Sequence, residues 1–283
     1  MVDLSHFNNP DTNQLNATWI GHSSLMINID GYKIMTDPVF ENKISPFGPT
    51  RFSGDVPLII NDIPQVDVVI ISHNHYDHLN KFSVKFLKDR TKLFITTLGV
   101  KPLLVKWGIP ADKIIELDWW DEYQVTDNLM IAATPSQHFS GRGLFDREKT
   151  LWASWVIKAT NHRVYFSADS GYWDGFKQIG KKYGPFDINF IECGAYNEAW
   201  YFVHMFPEQT VQAHLDLGGK IVQPIHWGTF NLSLHPWYEP MQRFTKAADS
   251  LGLTCATPIV GETTIFNGNI PNQRWWEPFI EKH

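Results

Sequence analysis

The sequence predicts an α/β body of two mixed β-sheets packed face to face, with helices outside. Three observations carry this reading. Strands crowd the first part of the chain, strand and helix alternate toward the end of each half, and no low-complexity linker divides the halves. The 283 residues are 43% hydrophobic and 19% charged. That composition fills one large core and excludes a disordered chain. The expected organisation is a loose polar arm over residues 1–16, then a single domain over 17–283.

From Thr18 the pattern is strand-like. Trp19-Ile20 leads to Leu25-Met26-Ile27-Asn28-Ile29, and Asp30-Gly31 is a hairpin signal before the return strand Tyr32-Lys33-Ile34-Met35. Gly48-Pro49 and Pro57 break a long loop between Pro38 and Pro64. Loops of that length in compact domains are often functional. Val66-Asp67-Val68-Val69-Ile70-Ile71 is almost continuously apolar, as a strand buried on both faces requires. Short helices are expected over Phe82–Lys88 and Lys101–Trp107. Strands are expected over Leu93–Thr96, Lys113–Leu117, Leu129–Ala133, Leu151–Ile157 and Arg163–Ser167. A helix fits Gly175–Lys182, ended by Gly184-Pro185, and Ile188–Ile191 is a strand. Pro207-Glu208 opens another helix, with proline at the first position and an acid at the positive end of the dipole. Gly218-Gly219 ends it. Strand Ile221–Gln223, helix Pro240–Ser250 and strand Thr263–Phe266 complete the chain.

The formal net charge is −6. That argues against nucleic acid as a partner, because such binding needs a cationic surface. The two cysteines, Cys193 and Cys255, are too few for a disulfide framework and read as buried thiols. No signal peptide and no membrane-length apolar run is visible, so a soluble cytoplasmic protein is expected.

The sharpest feature is Ser72-His73-Asn74-His75-Tyr76-Asp77-His78-Leu79, directly after the buried strand. Four ligand-type side chains, His73, His75, Asp77 and His78, fall within one turn. Packing does not explain such a group, because each buried donor needs a partner of its own. Neutral imidazole and carboxylate suit zinc, with manganese as the alternative ion.

This string resembles the signature of the metallo-β-lactamase superfamily. The resemblance implies the αββα sandwich of that superfamily and further ligands at strand ends. The candidates are His138, Asp169 and His226, each after a predicted strand. It implies one ion held by His73, His75 and His138, a second by Asp77, His78 and His226, and Asp169 bridging both. Longer strings narrow the likeness. Trp19-Ile20-Gly21-His22-Ser23-Ser24, Thr36-Asp37-Pro38, Asp118-Trp119-Trp120, Gly194-Ala195-Tyr196 and His226-Trp227-Gly228-Thr229 are similar to the N-acyl-phosphatidylethanolamine-hydrolysing phospholipase D family. That family is related to the L-ascorbate-6-phosphate lactonases. Where it carries a Gln-His pair, this chain reads Val203-His204, so only His204 carries over.

The resemblance implies a phosphodiesterase with two zinc ions. These outweigh Asp77, Asp169 and a hydroxide, leaving a net positive site suited to an anionic diester. His204 or Tyr76 would support the leaving alkoxide. The same groups would open a phosphorylated sugar lactone, the alternative reading. His22 and Asp37 read either as groups that orient ligands or as hydrogen-bonded turn residues. His6, His162, His214, His235 and His283 read as ordinary residues. Trp119-Trp120, Trp200-Tyr201-Phe202, Trp237-Tyr238 and Trp275-Trp276 would line an acyl groove, touch a lipid surface, or fill the core or a homo-oligomer contact. Trp200-Tyr201-Phe202 is the best groove candidate because it precedes His204.

Overall fold

A computed structural model describes residues 2–46 and 48–282. Two seven-stranded sheets carry the fold. In the first, β1 (Leu15–Gly21), β2 (Ser24–Ile29) and β3 (Tyr32–Thr36) form an antiparallel meander. β4 (Val66–Ile70), β5 (Thr91–Thr97) and β6 (Ile114–Leu117) then add in parallel. The second sheet repeats the plan. β7 (Glu122–Thr126), β8 (Leu129–Thr134), β9 (Ser154–Lys158) and β10 (Arg163–Phe166) are antiparallel. β11 (Phe186–Glu192), β12 (Gly219–Ile225) and the short β13 (Thr254–Cys255) follow in parallel. The last strand, β14 (Thr263–Ile265), crosses back to pair with β1.

Side-chain alternation explains the layers. Leu25, Ile27 and Ile29 of β2 enter the core between the sheets, while Met26 faces the opposite way. Val68 and Ile70 of β4 likewise face the inter-sheet core, and Val69 packs toward the helices. A strand with both faces covered must be apolar throughout, as this one is. Outside the first sheet lie α2 (Lys81–Leu87) and α3 (Lys101–Lys106), through Val84, Leu87 and Leu104. α4 (Gly175–Tyr183), α5 (Pro207–Leu217) and α6 (Glu239–Ser250) cover the second. Asp30 and Gly31 turn the first hairpin with φ of 51° and 91°, the two positive values that a type I′ turn requires. Gly218, at φ 70°, ends α5 in the left-handed cap.

Four expectations need correction. The arm is not loose: Ser5–Asn8 forms a helical turn, α1, and Leu4 and Phe7 join the core beneath the first sheet. The polar residues around them hid two anchors. β7 was missed, although Tyr123 and Val125 alternate with polar residues as an edge strand does. Leu151–Ala153 does not extend β9. Its backbone instead donates to the carbonyls of Leu98 and Ser72 and stitches the halves together. Cys193 is buried as expected, but Cys255 is only half-buried. No helix among the described residues is long and apolar enough to cross a membrane.

Candidate metal centre

Strand ends build the site. The turn 72–79 follows β4, and His138 follows β8. Asp169 follows β10, and His226 follows β12. His22 and Asp37 stand directly after β1 and β3. Both sheets therefore deliver polar side chains at one edge. The backbone is bent there. Among the described residues, His22, Asp37, Ala168, Ala195 and His226 have positive φ, between 35° and 64°. Such φ values in non-glycine residues concentrate at functional sites.

The predicted ligands converge in two sets. His73 Nε2 lies 2.9 Å from His75 Nδ1, and His138 Nε2 lies 3.2 Å from the same atom. Asp169 Oδ2 is 3.8 Å from His73 Nε2 and 3.6 Å from His138 Nε2. The second set gathers Asp77, His78 and His226. Asp77 Oδ2 is 3.5 Å from His78 Nε2 and 3.6 Å from His226 Nε2. Asp169 serves this set as well, with Oδ2 3.0 Å from His78 Nε2 and Oδ1 3.1 Å from His226 Nε2.

The surrounding hydrogen bonds select which ring nitrogen points inward. His78 Nδ1 donates to Asp37 Oδ2 at 2.7 Å. His138 Nδ1 donates to the Val203 carbonyl at 3.2 Å. Each bond turns Nε2 toward the cluster. Burial keeps the His138 ring neutral. Burial of His78 is outweighed by Asp169 and Asp77, which hold its pKa well above the ordinary range, a proton that a bound divalent ion would replace. Asp37 also accepts from the Ser72 backbone and hydroxyl, at 2.7 and 2.5 Å. His22 Nε2 contacts Asp77 Oδ2 at 2.9 Å, and its carbonyl takes the His226 N–H. Asp37 and His22 thus touch two of the predicted ligands, His78 and Asp77, and His22 itself lies in one donor cluster with Asp77, His78 and His226.

Electrostatics and unmet hydrogen bonds both fit a cation. Burial, then the neighbouring histidines, hold His73 well below the ordinary imidazole range. Burial likewise lowers His138. Burial works against ionisation of Asp169, but His226 and His78 outweigh it and keep the carboxylate charged. His78 Nε2, His226 Nε2 and Asp169 Oδ1 are buried and make no hydrogen bond. A buried polar atom without a partner is costly, and divalent ions among these nitrogens and carboxylates would satisfy all three.

The other predicted residues divide. His204 lines the cleft, stacked on His226 and edge-on to His138, with ring centroids 5.2 Å away in each case. Tyr76 is absent from the cleft lining. It is 37% exposed, and the Arg142 guanidinium covers its ring at 3.8 Å. Of Trp200-Tyr201-Phe202, Trp200 lines the cleft, while Tyr201 and Phe202 are exposed and absent from its lining. Trp119 and Trp120 pack against the inter-sheet core. His214 is buried, and His162 pairs with Asp30. His283 lies outside the described residues. Sequence reasoning missed Glu192 and Arg142. Glu192 is fully buried at the end of β11, and burial raises its pKa. A lone acid closing the apolar run Phe190-Ile191 was the available signal.

The model of the β-lactamase superfamily domain matches residues 32–227, well over half of the chain. The chain belongs to the metallo-β-lactamase superfamily. An uncharacterized protein of Mycobacterium tuberculosis is 44% identical over 273 residues, spanning 94% of this chain and 73% of that protein. N-acyl-phosphatidylethanolamine-hydrolyzing phospholipase D 1 of Caenorhabditis elegans is 35% identical over 250 residues, spanning 83% and 70%. Igni18, a metallo hydrolase of Ignicoccus hospitalis, superposes with a TM-score of 0.70 at 23% identity, over 90% of this chain and all of that one. The superfamily match and the donor clusters together make this protein a metal-dependent hydrolase.

Proposed function

We propose that the protein is a dinuclear zinc phosphodiesterase of phospholipase D type. It would act on N-acyl phosphatidylethanolamines, releasing N-acylethanolamine and phosphatidic acid. The observation that carries this reading is the pair of adjoining donor clusters, His73-His75-His138-Asp169 and His22-Asp77-His78-His226, with Asp169 also 3.0–3.1 Å from His78 and His226 of the second, set beside relatives named for that reaction at 33–35% identity. In this reading His73, His75 and His138 hold one ion. Asp77, His78 and His226 hold the other, and Asp169 spans both. Bound ions supply Lewis acidity and lower the pKa of the attacking water.

The chain's own residues do the rest. His22 and Asp37 hold Asp77 and His78 in place through the contacts above. Glu192 anchors His204 by Nδ1 and leaves Nε2 for the substrate. As the phosphorus–oxygen bond to the ethanolamine breaks, His204 gives its proton to the leaving oxygen. Tyr76, turned to Arg142, takes no part. Leu144 and Phe145 follow His138, Phe202 precedes His204, and Leu234 follows His226. These four side chains are 70–92% exposed, which supports peripheral contact with a lipid surface.

Elemental analysis, coupled to a chelator-sensitive assay on two substrates, tests the proposal. About two zinc ions per chain and turnover of an N-acyl phosphatidylethanolamine in micelles are expected. Turnover of a phosphorylated sugar lactone alone would move the function to the lactonases. A metal-free active protein would overturn the site itself.

A further inference from the structure

The metal cleft holds about 350 Å³ and is not the only cavity on its side of the fold. A second cavity of about 520 Å³ lies behind the loop that follows His226. Its apolar wall is Trp237, Trp275, Phe279, Ile259 and Val260, and Asp55 also lines it. A narrow space of about 20 Å³ lies between the two. It shares Ala195, His226 and Leu232 with the cleft, and Phe52, Gly228 and Trp237 with the second cavity.

We propose that this second cavity binds one unbranched hydrocarbon chain of the substrate, whose head group lies at the metal centre. The inference rests on the hydrolase reading above and adds where a lipid tail goes. Three features select the occupant. First, the wall is aromatic and backed by packed rings: Trp275 stacks on Trp237 at 6.1 Å and, behind it, on Trp227 at 5.2 Å. Preformed apolar walls suit ligand burial. Second, the one buried cation there asks for no anion. Arg51 is 4% exposed, its donors go to the carbonyls of Ile20, Val39 and Glu41, and its guanidinium lies 5.0 Å from the Phe230 ring centroid. A phosphate would gain little there, with Arg51 already engaged and the Asp55 carboxylate in the lining. Third, the space between the two cavities has room for about one water, which suits a single file of methylenes and not a ring system.

Tryptophan quenching in the metal-loaded protein tests the proposal, with 12-bromododecanoate as probe and 4-bromobutanoate as the short control. Saturable quenching by the long probe alone is expected, because its bromine would sit against Trp237 and Trp275. Ile259→Phe and Val260→Phe fill the cavity from two positions and should each weaken the long probe at least tenfold. Turnover of alkyl phosphodiesters should rise about fourfold per added methylene, corresponding to ~0.8 kcal/mol. The rise should flatten in both variants. Hydrolysis of a chain-free diester, methyl p-nitrophenyl phosphate, should be the same in all three proteins. Failure of that last reaction in the wild type counts against the hydrolase reading and leaves the quenching result to decide the cavity. Long-probe binding undiminished in both variants would overturn the proposal. So would a dimer in sedimentation that shows no quenching, because a second copy would then cover the cavity.

Discussion

Glu192 Oε2 lies 2.7 Å from His204 Nδ1, and the partner carboxylate oxygen takes the N–H groups of Ser170 and Met205 at 2.7 and 3.3 Å. A fully buried carboxylate with three donors is a fixed point. Through it, the strand end of β11 sets the orientation of a ring that lines the cleft. His204→Ala is expected to lower kcat by about 10²–10⁴-fold, the usual worth of a general acid, with metal content unchanged. Glu192→Gln keeps the shape but loses the charge-assisted bond, and a drop of about 10–100-fold in kcat is expected. KM should move little in either variant. Steady-state kinetics with metal analysis of each protein decides this, and loss of metal in Glu192→Gln would count against a purely positioning role.

Asp169 faces both donor sets, through Oδ2 toward His73, His78 and His138 and through Oδ1 toward His226. No other carboxylate in the centre reaches all four. Asp169→Asn removes the charge that both ions would share. Metal content is expected to fall to below about one ion per chain, from the dinuclear expectation of two, with turnover lost. Elemental analysis after dialysis against weak chelator measures it. Full metal content with full turnover would remove Asp169 from the centre.

Arg142 clamps the turn that carries four of the predicted ligands. Its Nη1 donates to the carbonyls of Asn74 and Leu79 at 2.8 and 2.7 Å, with His75 at 3.4 Å. The neighbouring Gly141 N–H meets Asn74 Oδ1 at 2.7 Å. The loop after His138 therefore holds the turn of the other half in register. Arg142→Met should destabilise the fold by about 2–3 kcal/mol, as loss of charged hydrogen bonds does. It should also weaken metal retention in chelator competition. Arg142→Lys restores the charge but not the fork, so its retention should fall between the other two. Equal retention in all three proteins would confine Arg142 to stability.

The layers and most strands were legible because their signals are local. Apolar runs such as Val66–Ile71, the Asp30-Gly31 turn and the Pro207 helix start depend on near neighbours alone. The dense ligand string at 73–78 was legible for the same reason. Leu4 and Phe7 were not, because two apolar residues among polar ones acquire meaning only when a sheet face arrives to cover them. Arg142 and Glu192 were hidden by distance in sequence. Arg142 meets carbonyls 63–68 residues away, and Glu192 meets an N–H 22 residues away. Conversely, Tyr76 sits inside the ligand string but turns out of the cleft, since adjacent residues of a tight turn point in different directions.

His214 offers a pH test away from the metal centre. Its ring is 2% exposed on α5, and Nδ1 accepts from Asn189 Nδ2 at 3.1 Å. Burial holds its pKa down to about 4, against an ordinary value of 6.5. The folded protein therefore keeps this ring neutral where the unfolded chain already binds a proton. The stabilising contribution is complete above about pH 6.5 and is lost as pH falls through about 4. The full shift corresponds to ~3 kcal/mol. His214→Gln retains an acceptor without a titrating proton. Its constant packing loss appears at every pH, whereas the wild-type protein gives up its advantage only on acidification. Urea unfolding at about pH 7, 5.5 and 4.5 should show the gap between the two proteins narrowing by most of that amount. The metal-centre histidines titrate alike in both proteins and cancel in the difference, so a gap that stays constant would mean that His214 takes up its proton in the folded state as readily as in the unfolded chain.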